Sequence, residues 1–147
     1  MYRVLVVANE TAGARELQDE VARISAEHGG DVAFHVCCPA HPRRHGVREA
    51  WTQEGAIEDA QRRLDRTLET LRAAGHQAGG EVGDLDPVAA MADALRLWPA
   101  DMLLVSTHPE PHSGWLRKGI LDKARRFGLP VRHVMATEVP EGAATAS

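Results

Sequence analysis

The chain has 147 residues, of which 44% are hydrophobic and 26% charged, and its formal net charge is -4 at pH 7. This balance is typical of a single folded globular domain, long enough to bury a core without disulfides or a metal. The acidic charge argues against nucleic-acid or anionic-membrane partners, and no apolar run is long enough to span a bilayer. The amino terminus leads directly into an apolar strand and the two cysteines are adjacent, so we expect a cytoplasmic protein.

The first half of the chain alternates apolar runs with helical patterns. Residues 3–8 form an aliphatic run that predicts a strand buried on both faces, and residues 31–38 predict a second strand, ended by Pro39. The helix between them ends at Gly29-Gly30, because glycine tolerates positive φ. A long helix is predicted over 47–74, with an apolar stripe formed by Ile57, Ala60, Leu64, Leu68 and Leu71.

The second half repeats this alternation. Residues 76–82 predict a weak strand near a sheet edge, because they contain few β-branched residues. Asp86-Pro87 is a strong helix start, since Asp caps free backbone N–H groups and Pro fits the first helical position. Val88, Met91, Ala92 and Leu95 are the expected buried stripe of that helix. The remaining elements are a fourth strand over 101–106, a helix over 113–127 and a fifth strand over 129–135.

Five strands alternating with four helices predict an α/β fold: a single-domain, Rossmann-like open parallel sheet of order 3-2-1-4-5 with helices on both faces. We expect the domain to occupy residues 1–138 and residues 139–147 to form a flexible tail. In such sheets a ligand crevice lies beyond the carboxyl ends of the strands where their order reverses. That point falls between the first and fourth strands, which nominates residues 9–13 and 106–119.

Several stretches of the chain resemble the universal stress protein family. Residues 4–11, VLVVANET, resemble its opening strand followed by Asp-x-Ser, with Asn9 and Thr11 in those two positions. Residues 81–87 and 101–108 resemble its third strand, Gly-Asp turn, helix and Asp-Leu-Ile-Val-Val-Gly-Thr-His strand. Residues 113–117 and 129–134 are similar to a divergent, functionally undefined actinobacterial branch of the family.

The nucleotide-binding motif of that family is degenerate in this chain. Nucleotide-binding members carry Gly-x2-Gly-x9-Gly-Ser/Thr after the fourth strand, and the same spacing here gives Ser106, Pro109, Gly119 and Ile120. Only the last glycine is retained. Pro109 has no N–H and Ile120 no hydroxyl to offer a phosphate.

The resemblance implies a non-enzymatic cytoplasmic protein that is homodimeric through the fifth-strand edge. ATP and AMP are the candidate ligands, bound weakly if at all. Asn9 and Thr11 would lie near the base or ribose, and the residues near phosphate would be Ser106, Thr107, Ser113, Gly114 and Gly119. The alternative is a protein-interaction module whose relic site binds no nucleotide.

A basic segment offers an anion site from the residues themselves. Ser113 and Gly114 begin a predicted helix, whose free N–H groups attract anions, and Arg117 and Lys118 add positive charge one turn later. The alternative is that Ser113 only caps the helix and that the basic residues form a solvated face.

Two other clusters contain side chains that bind metals or take part in catalysis in other proteins. Thiolate and imidazole are zinc ligands, but the spacing of His35, Cys37, Cys38, His41 and His45 matches no standard site, and alternation places Cys38 on the face opposite to His35 and Cys37. We therefore expect buried thiols and no metal. Ser106, Thr107 and His108 have no acidic partner or nucleophile-elbow pattern, so no enzyme is predicted.

Overall fold

Parallel strands and helices alternate along the chain in the order that the sequence predicts. The computed structural model describes residues 1–8, 11, 14–40, 53–84, 86–109, 115 and 119–136. Within these ranges the strands are β1 (Tyr2–Val7), β2 (Val32–Pro39), β3 (Gln77–Gly83), β4 (Met102–Thr107) and β5 (Val131–Met135). The helices are α1 (Arg15–Glu27), α2 (Gln53–Ala73), α3 (Pro87–Leu97) and α4 (Ile120–Arg125). The predicted tail over 139–147 lies outside the described residues.

The strands form one sheet of order β3-β2-β1-β4-β5, and every pairing in it is parallel. The predicted fold class and strand order are therefore confirmed. β3 and β5 are the two edge strands, as expected for β3 from its composition. None of the helices within the described ranges has the length and apolar composition needed to cross a membrane.

A layer of helices covers each face of the sheet. Alternate residues of the strands pack with α1 and α2 in one buried cluster, which includes Val4, Val6 and Cys38. The intervening residues pack with α3 and α4 in a second cluster, which includes Leu5 and Cys37. The sheet thus separates two cores, and successive residues of a strand belong to different ones.

Two helix boundaries that depend on local backbone and capping chemistry lie where the sequence predicts them. Gly29 and Gly30 follow α1 with φ of 64° and 83°. The Asp86 carboxylate accepts the N–H of Val88 at 3.0 Å, with Pro87 at the first helical position of α3. Both predicted helix boundaries are confirmed.

One predicted strand end and two predicted buried stripes were partly wrong. Pro39 is the last residue of β2, paired with Gly83, rather than a stop before it, because a strand end tolerates a residue without an N–H. Ile57 is 42% exposed, since the apolar stripe of α2 is buried only from Ala60 onward. On α3, Met91 is buried as predicted, but the other buried residues are Ala90 and Ala94. Val88, Ala92 and Leu95 are half-buried, and Val88 and Leu95 pack against the same cluster.

An arginine on the edge strand β5 anchors it to α1. The Arg132 guanidinium donates to a Glu20 carboxylate oxygen at 2.7 Å and to a Glu27 oxygen at 2.5 Å. The bond from Arg132 lowers the pKa of the Glu27 carboxyl below its ordinary value. Since one side of β5 has no strand neighbour in the sheet, this ion pair supplements the single ladder that holds it.

Gly80 is required by a close approach in β3. A Cβ built there would lie 2.6 Å from the Val36 carbonyl oxygen and 2.6 Å from a Leu64 methyl carbon, whereas one at Gly79 would meet nothing nearer than His35 Nδ1 at 4.0 Å. We expect Gly80→Ala to lower the free energy of unfolding by about 1–3 kcal/mol, as overpacked sites do.

Gly79→Ala is the matched control for that substitution. It should leave stability unchanged or raise it by about 0.5 kcal/mol, because Ala restricts the unfolded chain. Urea unfolding followed by circular dichroism measures both. Equal losses in the two variants would contradict the close approach seen at Gly80.

Candidate functional site

The candidate site lies at the carboxyl ends of β1 and β4, the central pair where the strand order reverses. The chain leaves β1 toward α1 on one face of the sheet and reaches α4 on the opposite face after β4. Because the two connections diverge, an opening is expected between them in folds of this topology. The residues just past these two strand ends are therefore the candidate ligand-binding residues.

A hydrogen bond between two hydroxyls spans this reversal point. The Ser106 hydroxyl of β4 donates to Oγ1 of Thr11 at 2.8 Å, and the two residues are 1% and 2% exposed. The carbonyl of Thr11 accepts the N–H of Ala14 at 3.0 Å, one residue before α1. The bond thus fixes the turn after β1 to the end of β4 and gives each buried hydroxyl a partner.

The neighbouring hydroxyl, Thr107, points to the other face and pairs with a residue that the sequence did not indicate. Its Oγ1 lies 2.7 Å from Nε2 of His133, and Thr107 is 2% exposed. Burial, and next the charge of Arg125, lowers the pKa of His133 below the ordinary imidazole value. The sequence had grouped Thr107 with the adjacent His108, whereas its hydroxyl pairs with β5.

The retained glycine of the degenerate motif has the backbone conformation that demands glycine. Gly119 has φ of 71° and ψ of 37°, in the left-handed region, immediately before α4. The following Ile120 is 1% exposed and lies in the core between the sheet and α3. Where the family motif has a hydroxyl, this chain has a core side chain.

The structure therefore resolves part of the predicted site. Thr11 and Ser106 are in contact, and Thr107 and Gly119 lie on the side of the sheet that α4 covers. The other predicted residues lie outside the described ranges: Asn9, Ser113, Gly114, Arg117 and Lys118. Sequence reasoning did not identify His133. The signal that could have found it is the predicted strand order, because that order places β5 beside β4.

The paired cysteines lie in the two cores, as alternation predicts. Burial is the first cause that raises the pKa of the Cys37 thiol to about 12 and that of Cys38 to about 11. Neither is thus a thiolate at neutral pH, the form that attacks electrophiles or binds metal. The described part of the chain contains no cluster of three metal-ligand side chains; His41 and His45 lie outside it.

The Thr11–Ser106 bond can be tested by a double-mutant cycle. Ser106→Ala should lower the free energy of unfolding by about 1–3 kcal/mol, because it leaves the buried Thr11 hydroxyl unpaired, and Thr11→Val should do the same to Ser106. The double variant should lose less than the sum of the two, since neither hydroxyl then remains. Urea unfolding measures the cycle.

Thr70→Val is the control, because its hydroxyl is exposed on α2 and bonds only within the helix, at 2.9 Å from the Arg66 carbonyl. It should cost much less than either buried substitution. Strictly additive losses for Thr11 and Ser106 would show that their hydroxyls do not depend on each other.

Comparison with known proteins gives a likeness in structure but none in sequence. No protein-family model matches the chain, and no curated protein matches it. A universal stress protein family member from Burkholderia pseudomallei superposes with a TM-score of 0.60 at 14% identity, covering 91% of this chain and 96% of its own.

Two further solved structures contain a bound nucleotide. A universal stress protein family protein from Arabidopsis thaliana with AMP bound gives a TM-score of 0.61 at 10% identity, over 93% of each chain. The universal stress protein from Archaeoglobus fulgidus in complex with dAMP gives 0.61 at 16% identity, over 91% of this chain and 97% of its own. At these identities the likeness concerns the backbone: the chain has the Rossmann-like fold of universal stress proteins.

Proposed function

We propose that the chain is a non-enzymatic, cytoplasmic protein of the universal stress type, which binds an adenine nucleotide such as AMP or ATP, or another small anion, at the carboxyl ends of β1 and β4. The observation that carries the proposal is the reversal of strand order between β1 and β4, in the sheet of order β3-β2-β1-β4-β5. Ligands of open α/β sheets bind at this point.

Two further observations support a ligand there. Proteins of the same fold were solved with AMP and with dAMP. Gly119 keeps the left-handed conformation immediately before α4, at the position of the last glycine of the family motif. In the sequence, Ser113, Gly114, Arg117 and Lys118 precede it and would supply N–H groups and positive charge to a phosphate.

The potentially reactive side chains among the described residues favour binding over catalysis. Cys37 and Cys38 have raised thiol pKa values of about 12 and about 11, so neither is an activated nucleophile. Thr107 contacts His133, but burial, and next the positive charge of Arg125, lowers the pKa of His133, whereas the histidine of a catalytic triad has an acidic partner.

A second candidate function has its own support. Thr11 and Ser106 already satisfy each other in a buried pair, and Ile120 is part of the core. Nucleotide contacts in the family manner would have to displace that pair and would find no hydroxyl at residue 120. These features favour a protein-interaction module in which the strand-end site is a relic.

A thermal-shift titration with ATP, AMP and inorganic phosphate separates the two candidates. A ligand that binds the native state at about 100 times its Kd stabilises it by about 2.7 kcal/mol, which raises Tm by several degrees. We expect AMP or ATP to raise Tm. No rise with any of the three at millimolar concentration would contradict nucleotide binding and favour the interaction module.

Charge-removing variants locate the site if Tm rises. Arg117→Ala/Lys118→Ala should weaken affinity about tenfold or more, because two cations near a phosphate are lost. The matched control is Arg62→Ala/Arg66→Ala, which removes the same charge from the exposed side of α2. Equal weakening in both would mean that only net charge matters.

We also infer that the chain forms a homodimer through the free edge of β5, as the family resemblance implies. β5 pairs with β4 on one side only, and Met135 at its end is 47% exposed. Such edges pair readily with another strand. Sedimentation velocity measures the state: a dimer at micromolar concentration, lost in Met135→Pro, whose N–H faces away from β4, is the expected outcome, and a monomer throughout would contradict it.

A further inference from the structure

The two edges of the sheet differ in what the arginine beside each of them bonds. β3 and β5 each have one strand neighbour, so each presents backbone groups with which another strand could pair. Beside β3, Nε of Arg72 donates to the carbonyl of Ala78 at 2.9 Å. On β5, Arg132 donates to the carboxylates of Glu20 and Glu27 on α1. An arginine therefore covers backbone at the β3 edge, whereas the arginine of β5 bonds side chains.

The bonded carbonyl of Ala78 lies on the outer side of β3. The carbonyl of Gly83 accepts the N–H of Ala40 at 3.1 Å, and Ala40 directly follows β2, so the backbone groups of Gly83 face β2. The backbone groups of successive strand residues face opposite sides, and the register with β2 is continuous. Those of Ala78, Gly80 and Val82 therefore point away from β2, toward the free edge.

The turn between α2 and β3 brings Arg72 to this edge. Arg72 lies in the last turn of α2, where a cation is favourable to the helix dipole. The N–H of Gly75 donates to the carbonyl of Arg72 and the N–H of His76 to that of Leu71, both at 3.0 Å, and Gly75 has φ of 93°. This tight reversal directs the chain back into β3, so that the side chain of Arg72 reaches a carbonyl six residues later.

Apart from this bond, β3 is suited to pair with a copy of itself. In an antiparallel pair centred on Gly80, Ala78 would lie opposite Val82 of the second copy, and the outward groups of all three residues would be used. Glu81 would lie opposite Gly79, so the two copies would not bring like charges together. The Ala78 carbonyl that such a pair needs is the one that the arginine already bonds.

We propose that Arg72 closes the β3 edge to a second copy of this chain and leaves β5 as the sheet edge available for self-association. For β3 to pair, the Arg72 guanidinium would have to leave the Ala78 carbonyl and lose a bond from a charged donor. A molecule with two open edges adds a copy at each, so its assembly does not stop at two. The inference does not depend on the proposed dimer, because pairing at β3 adds one association step to whichever state the wild type has.

Two neutral substitutions of equal length separate the hydrogen bond from the charge. Arg72→Gln places an amide nitrogen at the position of the arginine Nε, which is the donor atom, and Arg72→Met places a methyl group there. Both variants make the formal net charge of -4 one unit more negative. A difference in association between them therefore comes from the donor and not from the charge.

Sedimentation velocity measures that difference. Arg72→Met should associate one step further than the wild type, with the dissociation constant of that step lowered about tenfold or more, because the charged donor no longer competes for the carbonyl. Arg72→Gln should keep the wild-type state. Arg62→Met is the control for added apolar surface, since Arg62 lies on the exposed side of α2 and pairs with Asp59. It should leave association unchanged.

Amide hydrogen exchange followed by NMR locates the new contact. In the wild type the outward N–H groups of Gly80 and Val82 should exchange faster than the N–H of Glu81, which faces β2. In associated Arg72→Met, exchange at Gly80 and Val82 should slow by about tenfold or more, because the new strand accepts their hydrogen bonds. Circular dichroism checks that each variant is folded.

Several results would overturn the proposal. Equal association of the Met and Gln variants at residue 72, or an increase in Arg62→Met as large as in Arg72→Met, would remove the role of the donor. Association that leaves exchange at Gly80 and Val82 unchanged would place the contact elsewhere.

A lower Tm of Arg72→Met without further association would show that the bond only stabilises the turn between α2 and β3, and would also overturn the proposal. Equal exchange of Gly80 and Glu81 in the wild type would contradict the outward geometry without any variant. The proposed function is judged separately, because the response of Tm to AMP or ATP does not depend on the β3 edge.

Discussion

Strand β1 has a parallel neighbour on each side and a layer of helices on each face, so Val4, Leu5, Val6 and Val7 are buried, each at most 1% exposed. This constraint explains why residues 4–7 are all aliphatic, since either face must be apolar. It also governs the connections. The connections on either side of β1 place α1 and α2 on one face and α3 and α4 on the other, and open sheets with this division bind ligands beyond the strand ends.

Most of the fold follows from local sequence signals of this kind. The aliphatic runs locate the buried strands because only a strand between two layers needs apolar residues on both faces, and Asp86-Pro87 locates the start of α3 because capping depends on adjacent residues. The errors concern tertiary distances. The deeper burial of Ala90 and Ala94 than of Val88 and Leu95 depends on how near α3 lies to the sheet, which periodicity does not report.

For the candidate site, too, the sequence predicted which strand ends meet but not the side-chain contacts that depend on register and packing. The strand order alone places the residues after β1 next to the end of β4, and the Thr11–Ser106 contact agrees with that expectation. The Thr107–His133 contact depends on the register between β4 and β5, and no turn or motif links these strands in the sequence. Likewise, the spacing that identified Ile120 could not show that the residue belongs to the core.

The adjacent cysteines lie in different cores, so their reactivities report separately on the two helical layers of the fold. Cys37 belongs to the core under α3 and α4, and Cys38, one peptide bond away, belongs to the core under α1 and α2. Each thiol becomes reactive only when its own layer opens, because burial is what suppresses its ionisation. The rates at which the two single-cysteine proteins are labelled would therefore rank the local opening of the layers, with the strand backbone as a common reference.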